Sequence, residues 1–178
     1  CSMRKSIFFL FFIWVGLGSC LYGQETIKTT TGYRDYHRAV DLYEKSQFTA
    51  ARIEFENFIN QPIDRNDPFI IKAYYYRGMA ALSLYNEDAI PLLSSFNASY
   101  PENAYKNNIN LEIGNYFFQK EDYIGALPYY ELVHSDELDS ANKEIYFFKK
   151  GYSYFVEGQE KEALTAFKEV KNSTGQYG

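Results

Sequence analysis

One spacing pattern recurs along this chain and limits what it can fold into. Gly151, Tyr154, Gly158, Ala163, Phe167 and Val170 have counterparts 37 residues earlier in Gly114, Phe117, Glu121, Ala126, Tyr130 and Val133. Another 37 residues back from Ala126 lies Ala89, with Gly78 ahead of it and Leu93 and Phe96 behind. A step of 38 then reaches Ala51, followed by Phe55 and Phe58 and preceded, twelve residues earlier, by Ala39. A fixed period of this size is the mark of stacked helical units, none of which buries its apolar face alone. The chain is therefore expected to be all-α.

The hairpins are placed at about 33–61, 67–100, 102–135 and 139–173. In the first, Tyr36, Ala39, Val40 and Tyr43 recur at i, i+3, i+4 and i+7, the spacing of an amphipathic helix. Turns are expected at Ser46-Gln47, Tyr85-Asn86, Lys120-Glu121-Asp122 and Glu157-Gly158-Gln159. Pro62, Pro68 and Pro101 punctuate the connections, because a proline disfavours helical geometry in the residue before it. The remaining helices are predicted over 69–84, 87–99, 102–119, 123–134, 140–156 and 160–172.

Gly78, Gly114 and Gly151 fall mid-helix, where glycine costs roughly 1 kcal/mol against alanine. Close helix–helix contact is the expected compensation, with Ala51, Ala89, Ala126 and Ala163 as small partners on the return helices and rings filling the rest. Pro91 and Pro128 each follow their hairpin's alanine by two residues, and each is expected to bend or delay the return helix.

The N-terminus reads as an address. Met3 is the preferred initiator, with Cys1-Ser2 ahead of it; Arg4-Lys5 precede an apolar run over residues 7–17, and the small residues Gly18 and Ser19 lead to Cys20. Residues 1–24 fit a secretory signal peptide, too short for a comfortable membrane span. Three processing routes stand open: lipidation at Cys20, since Leu17-Gly18-Ser19-Cys20 resembles a lipobox, soluble export with cleavage near Gly23-Gln24, or an uncleaved anchor. Residues 25–32 form a polar linker, and 33–178 the repeat domain. A cleaved chain keeps at most one cysteine, so no intrachain disulfide is expected.

Aromatic residues make up 19% of the chain, a content that argues against disorder. Removing the first 24 residues leaves 16 basic and 23 acidic residues, a balance of −7. A basic stripe to neutralise phosphates is missing, so no nucleic-acid partner is expected.

The motifs Gly151-x2-Tyr154, Gly158, Ala163-x3-Phe167-x2-Val170, and behind them Gly114-x2-Phe117 and Ala126-x3-Tyr130-x2-Val133, resemble a tetratricopeptide-repeat protein. The resemblance spans about 33–172, although the family's tryptophan is missing from every repeat and the period is longer than 34. It implies a right-handed α-α superhelix, a solenoid of about four hairpins, acting as a non-catalytic scaffold for protein or peptide partners. The first hairpin is also similar to the opening hairpins of periplasmic repeat proteins and outer-membrane assembly lipoproteins. With the export signal, this implies the periplasm or the periplasmic face of the outer membrane. Two alternatives accompany it: a lipid-anchored structural component of an outer-membrane assembly complex, with membrane attachment through the N-terminus, and the N-terminal interaction module of a larger enzyme. Leu164 and Phe167 close to an uncapped end lead us to expect self-association there and a longer parent protein.

In this family the first helix of each hairpin lines the groove. By spacing, that places Tyr36, Tyr43, Tyr75, Met79, Asn108, Asn115, Phe118, Phe148 and Tyr152 along a partner groove. The competing reading is that these rings pack neighbouring helices. The family's best-known peptide clamps use Lys, Arg and Asn, and this set lacks that basic signature. His37 and His134 have no second His or Cys at ligand spacing, so no metal is expected. Acidic pairs such as Glu87-Asp88 and Glu121-Asp122 read as turn solvation and caps rather than paired catalytic carboxylates. No catalytic residue and no cofactor is expected.

Overall fold

The computed structural model describes residues 33–172, with side chains to Val170. The signal segment, the linker 25–32, Cys20 and residues 173–178 lie outside the described residues. Every regular element described is helical: α1 (33–44), α2 (Phe48–Ile59), α3 (Pro68–Ser83), α4 (Ala89–Ser99), α5 (Lys106–Gln119), α6 (Tyr123–Glu131), α7 (Ser140–Val156) and α8 (Glu160–Asn172), with a 3-10 turn at Ser135–Glu137. The all-α class is as expected.

Two helices are shorter than their apolar periodicity predicts, and asparagines explain both. The expected start of α5 at residue 102 moves to Lys106. Asn103 accepts a hydrogen bond from the Tyr105 amide at 2.9 Å and donates to the Tyr100 carbonyl at 2.6 Å, so the segment closes into a turn. The expected end of α6 at residue 134 moves back to Glu131. Asn107 of α5 takes both backbone groups of His134, accepting from its amide at 2.8 Å and donating to its carbonyl at 3.0 Å. Those groups are thereby withdrawn from any helical ladder.

All four hairpin turns share one hydrogen-bonding scheme. Ser46, Tyr85, Glu121 and Gly158 sit at φ 58, 56, 60 and 73°, in the left-handed region. In each turn this residue's amide donates three residues back, and the next amide donates five back. The pairs are Ser46 to Tyr43 with Gln47 to Leu42, Tyr85 to Leu82 with Asn86 to Ala81, Glu121 to Phe118 with Asp122 to Phe117, and Gly158 to Phe155 with Gln159 to Tyr154, all at 2.9–3.0 Å. This is the double-bonded helix stop that satisfies carbonyls otherwise left open. Asp122 then caps α6 by accepting from the Gly125 amide, and Asp139 caps α7 by accepting from Asn142.

The chain divides into two units, one ending at Arg77 and the other beginning at Gly78, inside α3. In the first, Tyr36, Ala39, Ala51, Phe55, Phe58, Ile59, Ile70 and Ala73 form the core. Tyr36 meets Phe69 edge-on at 5.0 Å, and Phe55 stacks on Tyr76 at 5.6 Å. Tyr33 donates to Asp67 at 2.8 Å, and Asp67 in turn accepts from the Phe69 amide as α3 begins.

In the second unit α5 packs on α6, α6 on α7 and α7 on α8, while α5 also reaches α7. Leu111, Ala126, Tyr130, Val133 and Tyr146 form one core cluster, and Leu127, Tyr154 and Ala163 another. The atoms nearest each mid-helix glycine belong to a large side chain. A Cβ added at Gly78 would lie 2.5 Å from the Leu93 side chain, one at Gly114 would lie 2.6 Å from the Tyr130 ring, and one at Gly151 would lie 2.8 Å from Phe167. Each glycine makes room for the large residue one turn beyond the alanine, because a ring filling the space between helices needs a bare backbone opposite it. Ala89, Ala126 and Ala163 are themselves 0, 0 and 3% exposed.

The two prolines also part company. Pro91 is the third residue of α4, where no intrahelical amide bond is lost. Pro128 lies inside α6 and leaves the carbonyl of Ile124 without its ladder donor. Ile124 is 65% exposed, so water is available at that point.

Candidate functional site

The second unit carries a cavity of about 240 Å³ between the last turn of α3 and α5. From α3 and its turn come Met79, Leu82, Ser83 and Tyr85; from α5 come Glu112, Asn115, Tyr116 and Gln119. The α5 residues recur at three- and four-residue steps, so helical geometry puts them on one stripe. Tyr85, on its left-handed turn backbone, lines the cavity, where its ring stacks on Tyr116 at 5.5 Å and its hydroxyl donates to Gln119.

Beside this cavity, Asn115 organises a polar cluster. Its Oδ1 accepts from Lys149 Nζ of α7 at 2.8 Å and from the Tyr130 hydroxyl at 3.1 Å. Its Nδ2 points to Glu112 Oε2 at 3.5 Å. Burial pulls the Lys149 ammonium below its usual pKa, while the Glu112 carboxylate pulls the other way. Burial, reinforced by Glu112 and then Tyr146, pushes the Tyr130 hydroxyl far above the ordinary phenol range. Lys149 also lies 5.7 Å from the centre of the Phe118 ring.

Of the residues expected along a groove, Met79 and Asn115 line this cavity together. Phe118 and Tyr152 meet edge-on at 5.8 Å, Tyr123 touches both, and Phe148 stacks beside Tyr152 at 6.4 Å. Phe148 and Tyr152 are 44 and 38% exposed, which makes this ring cluster a surface feature. Tyr36, at 4% exposed, belongs to the core of the first unit and forms no open wall. Tyr43 is half-buried between Phe48 and Tyr76, and Tyr75 leans on Tyr76. Asn108 is exposed and lines no part of the cavity.

Sequence reasoning missed Glu112, Gln119 and Lys149, because it followed rings and asparagines. A positional signal was present. Tyr85 to Gln119, Asn115 to Lys149 and Phe118 to Tyr152 are all separated by 34 residues, whereas Gly114 and Gly151 are 37 apart. Side chains that touch across successive first helices are therefore one turn short of the repeat.

His37 is exposed and sits edge-on to Tyr36 and Phe69, and His134 is exposed beside the 3-10 turn. Among the described residues, no three His, Cys, Asp or Glu side chains are grouped to hold a metal ion. None of the described helices is long and apolar enough to cross a membrane. Comparison of the chain with protein-family models, with curated proteins and with solved structures finds no match.

Proposed function

We propose that this chain is a tetratricopeptide-type scaffold, a right-handed superhelix of helical hairpins that binds protein or peptide partners without catalysing a reaction. The observation that carries the reading is the recurring lock of glycine against a large side chain: Gly78 with Leu93, Gly114 with Tyr130 and Gly151 with Phe167. With it come α5 packed on both α6 and α7, and a cavity facing the first helices where a partner side chain fits. Recognition would follow the helix-in-groove or extended-peptide modes, in which a few anchors enter preformed pockets. The basic n-region and the apolar run 7–17 support a location in the cell envelope, with export either free or through Cys20.

An array of immobilised peptides probed with the protein tests the binding reading. The Met79→Ala, Asn115→Ala double variant, checked for unchanged helix content by circular dichroism, should capture peptides at least tenfold more weakly. Equal capture by wild type and variant would remove the groove from the account. Fractionation of cells making the full chain tests the placement, and recovery in the cytoplasm would overturn it. Palmitate labelling that disappears in Cys20→Ala separates the lipidated route from free export.

A further inference from the structure

Within the groove read above as the partner site, we infer that the group recognised is a lysine or arginine side chain of a peptide partner, held by the carboxylate of Glu112. The inference rests on that reading and adds the chemistry of the occupant.

Charge is the first argument. Among the described residues, Glu112 is the one charged residue lining the cavity. Its carboxylate has the single long contact from Asn115 at 3.5 Å, and among the described residues no Lys, Arg or His lies within ion-pair distance of it. Lys149, the nearest competitor, directs its ammonium to Asn115 Oδ1 at 2.8 Å and to the face of Phe118. Lys120 is turned to Tyr116, donating to its hydroxyl at 2.6 Å. It lies eight residues along α5 from Glu112, about 12 Å at the helical rise, beyond the screening length of about 8 Å at physiological salt. Lys149 feels the carboxylate electrostatically across Asn115, but makes no direct contact with it, so Glu112 keeps acceptor sites open to a further donor.

The second argument is the state of the groove's protons. The Ser83 hydroxyl donates to the Met79 carbonyl at 3.0 Å, and the Tyr85 hydroxyl donates to Gln119 Oε1. With those protons committed, Ser83 Oγ and the second lone pair of Gln119 Oε1 offer acceptance, as Glu112 does. An ammonium carries three donors and no acceptor, and a guanidinium five donors and none. A ligand of that type satisfies these acceptors and the Glu112 carboxylate, while the Asn115 and Gln119 amide groups and the Tyr116 hydroxyl remain as donors for a peptide backbone.

Shape gives the third argument. Met79 and Leu82 supply an apolar flank suited to the methylene stem of a long cationic side chain, which buries its stem while its head finds polar partners. A cavity of about 240 Å³ is below the roughly 300–1,000 Å³ of sites that enclose whole small molecules, and accommodates one side chain of a larger partner.

The test uses the full chain and an array of random peptides, capped as N-acetyl and C-amide, probed with wild type and with Glu112→Gln. Captured peptides should be enriched in Lys or Arg. Changing that residue to Gln or norleucine in the tightest binder should weaken binding at least tenfold, and Glu112→Gln should weaken the parent peptide equally while removing the discrimination. Added salt should weaken the wild-type complex and leave the variant complex nearly unchanged. If capture is indifferent to both exchanges, the cation is not what Glu112 reads, although the groove still binds peptide. Enrichment of Asp or Glu in place of Lys or Arg among the captured peptides likewise overturns the inference. If no peptide is captured, the scaffold reading falls with it. The exchange on the peptide side keeps the test decisive even where Glu112→Gln unfolds the protein.

Discussion

The hairpins α5/α6 and α7/α8 follow one template and hold their central rings in opposite ways. Tyr130 is fully buried, its ring against Gly114 and edge-on to Tyr146 at 5.8 Å, its hydroxyl bound to Asn115. Its carbonyl also accepts from the Tyr146 hydroxyl at 2.8 Å. Phe167 occupies the same slot against Gly151 but is half-buried, carries no polar tie and sits on a helix whose Leu164 is 57% exposed. A shared register therefore sets where a ring goes, while the number of walls around it decides whether it can move.

Removing the rings gives the largest contrast. Tyr130→Ala should cost about 3–5 kcal/mol, the range for deleting a buried aromatic, and Phe167→Ala about 1–2 kcal/mol for a half-exposed one. Urea unfolding measures both, and equal losses would break the comparison. Adding a methyl opposite each ring comes next. Gly114→Ala should destabilise by about 1–3 kcal/mol because Tyr130 has no room to retreat. Gly151→Ala should stay within about 1 kcal/mol of wild type, since Phe167 can swing outward and alanine gains roughly 1 kcal/mol of helix propensity.

The turns differ by a smaller margin. A Cβ on Gly158 meets nothing within 4 Å, so Gly158→Ala isolates the cost of left-handed backbone, about 1 kcal/mol. Glu121→Gly removes that strain from the equivalent turn and should stabilise by about 0.5–1 kcal/mol after the added flexibility of the unfolded chain is counted. Thermal melts of the two variants should shift in opposite directions.

The last contrast is invisible at neutral pH. Burial, with a smaller push from Glu131, raises the Tyr146 hydroxyl to about 12, while the unfolded phenol titrates near 10. Between those values the unfolded state has lost a proton that the folded state keeps, so stability is complete below about pH 10 and falls as pH rises toward about 12. Tyr146→Phe should flatten that decline in urea midpoints taken from pH 9 to 12. The decline should lessen without vanishing, because burial also raises the Tyr130 and Tyr154 hydroxyls, while Lys149 and Lys150, whose pKa values burial lowers, act with the reverse sign.

Much of the helical order was legible because apolar spacing and glycine period both report on it. The glycine at 114 was readable as a close contact, but its neighbour was not: spacing cannot tell whether the ring or the alanine stands opposite, and that depends on how far one helix slides along the other. The early end of α6 was hidden for another reason. It is imposed by Asn107 from α5, a side chain with no local connection to residue 134. Three of the four left-handed turn residues were equally unreadable, since Ser46, Tyr85 and Glu121 lack the glycine that announces such backbone. Met79 and Asn115 of the cavity followed from first-helix position, whereas Gln119, and Lys149 beside the cavity, needed the 34-residue contact offset that only packing reveals.

Tyr85 joins two of these themes. It holds the same unfavourable backbone as Glu121, yet its ring stacks on Tyr116 and its hydroxyl reaches Gln119 in the cavity lining. Glycine would suit that turn better and would leave the cavity open on one side. If the cavity takes a partner side chain as proposed, a more comfortable turn would come at the cost of that contact, and stability and selectivity would pull this position in opposite directions.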